Sequence, residues 1–307
     1  INLAVDLLYA YLVNATLVLC HEIDSAYWHE WRLFHLPGGP VGFVAMHLVV
    51  IPLVLIGVVA VARESALSRW WSIGIGGFSS PRPYIGAENS QIVAPLIEVT
   101  YKKIYVQGIQ AGYRFFDTGK FSLDARAGIV FNGLDPDDSP YLEGMNKRRP
   151  SIEGGLVFAW KPGKFRLSNA FYTDLLGRSY GQQASSDFSR TWNFNRYRWG
   201  VTPSVGVVWQ SSNFIDYYYG VTEEEARPGR PPFSGHSVIN FRSSLLGYFF
   251  VTMRLRLVGL VRIQRLDNEI SSSPIVDKPR GYFGLLGINY TFGAVQGGKT
   301  RPRGVSK

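Results

Sequence analysis

The chain has 307 residues, of which 46% are hydrophobic, 14% aromatic and 18% charged, with 33 glycines, 17 prolines and a single cysteine, Cys20. Plentiful aromatics and normal apolar content exclude a disordered chain. One cysteine excludes an internal disulfide scaffold and a zinc site built from thiolates. The net charge of +9 comes from arginines spread singly, and the one compact basic cluster is the tail Lys299, Arg301, Arg303 and Lys307. That pattern does not make a nucleic-acid groove, and it suits a surface that meets anionic lipid, polysaccharide or cell-wall polymer.

Hydropathy divides the chain in two. Residues 1–62 are strongly apolar and carry four of the five histidines, His21, His29, His35 and His47. Val41–Ala62 is a run of 22 residues without a charge, long enough at roughly 1.5 Å per residue to cross a hydrocarbon core of about 30 Å. Asn2–Cys20 is a second candidate span, weakened by Asp6 and Asn14. Between them lies a polar, aromatic stretch from His21 to Arg32, closed by the turn Pro37-Gly38-Gly39-Pro40. These features predict a helical membrane hairpin over residues 1–66, with its Trp and Tyr side chains at headgroup level.

Within it, His21, Glu22, Asp24, His29 and His47 are candidates for a metal or proton site. His21 and His29 fall two turns apart on one broad side of a helix, and His47 approaches from the facing segment. The competing reading is an interfacial loop using amphipathic side chains and local caps. The segment resembles a family of small uncharacterised integral membrane proteins with a HEhD…HEWRLF core, h being apolar, over residues 3–60. That resemblance implies no known activity. Ala60-Val61-Ala62 also fits the small-x-small pattern read by signal peptidase, so a cleaved export signal and an uncleaved anchor both stay open. The chain opens on Ile1 rather than Met, so its true N-terminus is expected to lie upstream.

From Trp70 onward the hydrophobic period becomes two. In Val251–Leu266, Met253, Leu255, Leu257, Val261 and Ile263 share one face, while Arg254, Arg256, Arg262 and Gln264 share the other and are expected to face a wet lumen. Such a strand is long for a soluble sheet, whose strands centre near about 5–6 residues. The alternation recurs in Ile152, Leu156, Phe158 and Trp160, and after the turn Pro162-Gly163-Lys164 in Phe165, Leu167, Phe171 and Leu175. It recurs again in Trp199, Val201, Val205, Val207 and Trp209, and in Ile239, Phe241, Leu245 and Phe249. Short turns alternate with long polar loops at Asp135–Pro150, Arg178–Arg190, Thr222–Gly235 and Asp267–Arg280. The rhythm predicts an all-β antiparallel transmembrane barrel of about 12 strands, 10 remaining open, over residues 67–292, with aromatic ends such as Trp70-Trp71, Tyr217-Tyr218-Tyr219 and Tyr282-Phe283 at the membrane surfaces. A soluble sandwich or lipocalin-like barrel is the alternative. Residues 293–307 read as a disordered basic tail.

Ordered short motifs carry a second resemblance. Ser72-Ile73-Gly74-Ile75-Gly76, Pro83-Tyr84-Ile85-Gly86-Ala87-Glu88, Ala94-Pro95-Leu96, Asp216-Tyr217-Tyr218-Tyr219-Gly220-Val221, Ser273-Pro274-Ile275-Val276 and Tyr290-Thr291-Phe292 together resemble the MipA/OmpV family over residues 70–292. The resemblance implies a cell outer-membrane barrel. For some members it also implies a scaffold joining a lytic murein transglycosylase to a peptidoglycan synthase, with no catalytic residues. The last strand, with Ile288, Tyr290 and Phe292, looks like the C-terminal signal read by the barrel assembly machinery, although residues 293–307 follow it. Lipid bilayer and lipopolysaccharide are the remaining expected partners; no cofactor and no nucleic acid are expected.

Other chemistry is sparse. His236 is the one histidine after His47, with Asp216 and Ser234 as conceivable partners for an esterase or lipase. Asp135, Asp137 and Asp138, and Glu223-Glu224-Glu225, are acidic loop clusters, read either as cation sites or as solvated, flexible charge. The expected function is a non-enzymatic outer-membrane scaffold tied to murein remodelling. A small pore or an adhesin is the alternative, and an outer-membrane lipase or esterase is a lesser one.

Overall fold

The computed structural model describes residues 70–80 and 82–293. The hairpin expected over residues 1–66, its candidates His21, Glu22, Asp24, His29 and His47, and the tail beyond Gly293 lie outside the described residues.

The first half of the barrel is made of β1 (Trp70–Ser80), β2 (Ser90–Tyr101), β3 (Ile104–Gln107), β4 (Gln110–Asp117), β5 (Phe121–Val130), β6 (Ser151–Trp160) and β7 (Phe165–Asp174). The second half is made of β8 (Gln182–Arg190), β9 (Trp192–Phe194), β10 (Trp199–Gln210), β11 (Val238–Phe250), β12 (Leu255–Arg265) and β13 (Arg280–Gly293). Every pairing is antiparallel; β13 pairs with β1 and β10 with β11, so the ring is closed. β9 continues β8 past Thr191 and pairs with the lower part of β10. The thirteen segments therefore make a 12-strand antiparallel β-barrel. Closure leaves no sheet edge along the seam between first and last strands.

The period-two pattern sorts side chains between two solvents. Leu156, Phe158, Phe171, Val205, Phe241, Leu245, Val261, Ile263, Leu286 and Ile288 are exposed on the outside, a lipid-facing belt that would be an aggregation hazard in water. Alternate residues face inward: Arg256 of β12 reaches Glu98 of β2 across two intervening strands. All long connections emerge at one end, where the two-residue turn Gly108-Ile109 between β3 and β4 also points, and the other short turns lie at the opposite end, as the chain order of an up-and-down barrel requires.

Two expectations about elements need correction. The segment Arg178–Arg190 is not a long loop, because Gln182–Arg190 forms β8. Its outward row is Ala184, Ser186 and Phe188, so small and polar residues hide the apolar alternation. Val251–Arg254 is a turn, and β12 begins only at Leu255.

Candidate functional site: lumen, cap and short-turn rim

The lumen is held by ion pairs that cross from strand to strand. Tyr105 on β3 lies over Gly112 on β4 and donates its hydroxyl to Asp124 Oδ2 of β5 at 2.9 Å, while Arg114 Nε donates to Asp124 Oδ1 at 2.9 Å. Any side chain at Gly112 would occupy the space of the Tyr105 ring. Arg126 Nε donates to the Tyr105 hydroxyl at 3.2 Å, closing a four-residue network. On the far wall Arg242 of β11 reaches over Gly206 of β10 and donates through Nε to Asp187 Oδ1 of β8 at 2.7 Å. Arg256 pairs with Glu98, and Ser72 Oγ donates to the same carboxylate at 3.4 Å.

Of the four residues expected in the lumen, Arg256, Arg262 and Gln264 alternate with the exposed Leu257, Val261 and Ile263 along β12. Arg262 packs its guanidinium over the Phe283 ring at 5.9 Å. Arg254 is exposed in the short turn, and its Nη1 donates to the Tyr290 hydroxyl at 3.4 Å. Parity along a strand places it inward, but the strand has ended there. Ile288 and Tyr290 lie on the outer face of β13, and Phe292 stacks on Trp71 of β1 at 4.3 Å, at the seam that closes the ring.

The long-loop end is covered by a folded cap. Helix α1 (Ser212–Tyr219) begins with Ser211 Oγ accepting from the Phe214 amide and buries Phe214, Ile215, Tyr218 and Tyr219. The short α2 (Asn268–Ser272) starts with Asp267 accepting from the Glu269 amide and buries Ile270. With Tyr84, Leu134, Leu142, Met145 and Ile275 these form one hydrophobic cluster contributed by four loops spaced around the ring. Loops from separated strands meet only over the mouth, so the cluster lies across it. Tyr217–Tyr219 therefore belong to this cap rather than to a membrane girdle. Burial pushes the Tyr219 hydroxyl up to about 12 and raises that of Tyr218 further.

Two arginines lock the cap. Arg148 donates through Nη1 and Nη2 to the Glu225 carboxylate at 2.8 and 2.7 Å, and both side chains are buried. The Asn146 and Thr222 amides also donate to that carboxylate, at 2.7 and 3.1 Å. Burial alone would raise the Glu225 pKa, but Arg148 and the amide donors outweigh it and hold it at about 2. Arg230, 1% exposed, donates to the carbonyls of Glu225, Tyr141 and Glu143. Glu225 thus departs from the solvated-charge reading, while Glu223 and Glu224 are exposed. Asp138 pairs with Arg82, and Asp135 with Lys147 at 3.1 Å. Sequence reasoning missed the Arg148–Glu225 pair, which spans 77 residues and has no local signature.

The hydrolase constellation does not assemble. Ser234 Oγ donates to Asp216 at 3.0 Å, whereas His236 Nδ1 lies 3.0 Å from Glu269 Oε1 with its side chain 89% exposed. Hydrogen bonds from His236 hold the Glu269 carboxyl below its usual range. No group of three or more metal-ligating side chains occurs among the described residues.

The short-turn rim is basic. Lys102, Lys103, Lys120, Lys164, Arg196, Arg198 and Arg254 are all exposed there, and Asp117, the last residue of β4, is the one acid bordering those turns among the described residues. Several lie over outward aromatics, Lys120 at 5.6 Å from the Phe121 ring and Arg198 at 5.6 Å from Phe249. Asn195, Arg196 and Tyr197 hold φ of 45°, 52° and 71°, a run of left-handed non-glycine residues that carries backbone strain.

Residues 73–292 match the family described as MltA-interacting protein MipA. The chain belongs to the MipA family. Residues 7–80 match a family of unknown function, DUF6713, which reaches into β1. YiaT of Escherichia coli K12 is 26% identical over 74% of this chain and 93% of its own length. The MltA-interacting protein of the same organism is 26% identical over 72% of this chain and 90% of its own length. Outer membrane protein OmpV of Vibrio cholerae is 24% identical over 59% and 70%. An outer membrane channel from Pseudomonas putida F1 superposes with a TM-score of 0.41 at 10% identity, over 74% of this chain and 97% of that one. Membership of the MipA family, with the lipid-facing belt, makes this a cell outer-membrane barrel.

Proposed function

We propose that this barrel is a non-catalytic scaffold that presents its short-turn rim, the periplasmic end in such barrels, to a murein-remodelling enzyme. The observation that carries the reading is the one-sided charge of that rim, seven exposed cations against one acid among the described residues. A rigid ring of like charge recruits an acidic partner quickly and in a fixed orientation. The name of its Escherichia coli relative supports a lytic transglycosylase as that partner, and the resemblance adds a peptidoglycan synthase as a second. The cap over the opposite mouth favours this reading over a pore.

The test is binding of the source bacterium's membrane-bound lytic transglycosylase to the full-length barrel in nanodiscs. Submicromolar binding that weakens at least tenfold in a Lys120→Glu, Lys164→Glu, Arg196→Glu variant, and falls steeply with added salt, is the expected result. Binding unmoved by the triple reversal would refute the assigned surface, and no binding at all would refute the scaffold reading.

A further inference from the structure

The outer wall at the long-loop end carries two arginines that the scaffold reading does not use. Arg265 ends β12 and Arg280 begins β13, and they stand directly opposite in the ladder. Both are exposed, and they share the outward face with Ile263, 42% exposed, and Tyr282, 54% exposed, the pair immediately below. Neither has a salt-bridge partner among the described residues. Guanidinium groups stay protonated at any physiological pH, and like charges directly opposite in a sheet destabilise it. An anion lying between them removes that cost.

Arg265 also lies at the head of a groove in the lipid-facing wall, about 480 Å³ in volume. Phe241 and Ile263 border one end and Leu167 and Phe188 the other, while Ser186 and Ser243 leave the floor low. The ladder shows its direction. The row Arg265–Phe241–Val207–Ser186 crosses β12, β11, β10 and β8 in turn, and the row Ile263–Ser243–Val205–Phe188–Leu167 crosses the same strands and goes on to β7. Arg265 is the uppermost residue of β12, whereas Leu167 is the third residue from the short-turn end of β7. The groove therefore descends obliquely from the external rim into the hydrocarbon layer.

We infer that this face binds lipid A, the phosphorylated, multiply acylated lipid of the external leaflet, with Arg265 and Arg280 on a phosphate and an acyl chain in the groove. Charge complementarity selects the phosphate, and a mainly apolar groove on the lipid-facing wall starting at the same arginine selects a lipid over a soluble anion. A phospholipid of the opposite leaflet would place its headgroup at the wrong end of the wall.

The test uses the full chain, folded in detergent, and a fluorescent hexa-acyl lipid A in bisphosphoryl and dephosphorylated forms. Heat-modifiable gel migration confirms folding of each variant. An R265Q/R280Q variant is expected to bind the bisphosphoryl form at least tenfold more weakly, with the dephosphorylated form unchanged. Ser243→Trp, which fills the groove without touching the charge, is expected to weaken both forms. Unchanged binding in R265Q/R280Q overturns the phosphate site, and unchanged binding in Ser243→Trp overturns the acyl groove. Phosphatidylglycerol competing as well as lipid A overturns the assignment to lipid A. If the double variant does not assemble, Arg280→Gln alone carries the first arm, with at least a threefold loss expected.

Discussion

Replacing Arg148 with methionine should loosen the cap and leave the barrel wall intact. The substitution keeps an apolar stem but removes both donors from the Glu225 carboxylate. Glu225 is 2% exposed, and its remaining donors are the Asn146 and Thr222 amides. Breaking a buried pair from one side costs about 3–5 kcal/mol, because an uncompensated charge stays behind. The pKa agrees in sign: burial raises it, but Arg148, together with the Asn146 and Thr222 amides, overcomes burial and lowers the carboxyl from 4.5 to about 2. Local opening of the cap should then become about 10²–10³ times more frequent, at one decade per 1.4 kcal/mol. Hydrogen exchange read by mass spectrometry checks this in peptides covering 134–148 and 221–235, with β6–β7 as the internal control. The sign of the pH dependence follows from the lowered pKa. The stabilisation is complete above the unfolded value near 4.5 and is lost as pH falls through about 2. Wild-type cap protection, corrected for intrinsic exchange, should decline across that window, and the Arg148→Met protein should show no such step. Exchange within threefold of wild type in both cap peptides would refute the reasoning. The double variant Arg148→Met, Glu225→Leu should recover part of the loss, since a matched apolar pair leaves no stranded charge.

Gly206→Val should destabilise the wall itself. A Cβ there overlaps Asp187 Oδ1 and comes within 2.5 Å of the Ser186 carbonyl oxygen, so the Arg242–Asp187 bridge cannot pass over β10. A loss of about 2–4 kcal/mol is expected from overpacking together with a weakened inward pair, read as an earlier midpoint in urea unfolding from lipid vesicles; an unchanged midpoint refutes it. In planar bilayers the wild-type protein should conduct little, while replacing residues 222–234 by a short Gly-Ser linker should open steps of steady conductance. Equal conductance before and after would show that the cap does not obstruct the lumen.

Much of the wall is legible in sequence because a closed barrel between lipid and a wet lumen imposes a local rule on every strand. Ile239, Phe241, Leu245 and Phe249 can be assigned to one face without knowing their neighbours, and the same holds for the Trp199–Trp209 set. The rule fails where its premise fails. β8 carries Ala184 and Ser186 on its outer face, so its alternation has little amplitude. Arg254 obeys the parity of β12 but lies past the end of the strand, where backbone direction no longer follows parity.

The cap is a different case. Leu134, Ile215, Ile270 and Ile275 are fully buried, yet in sequence they sit in loop segments without a period-two pattern, because their partners come from other loops. The Arg148–Glu225 lock, the Gly206 crossing and the Arg265–Arg280 pair likewise depend on register and ring closure. Where the alternation is strong, sequence by itself determined which residues face lipid, since that choice is made one strand at a time. Only the tertiary structure decided which charges meet, what covers the mouth and where two arginines stand opposed, because those are relations between strands and loops brought together by the closing of the barrel.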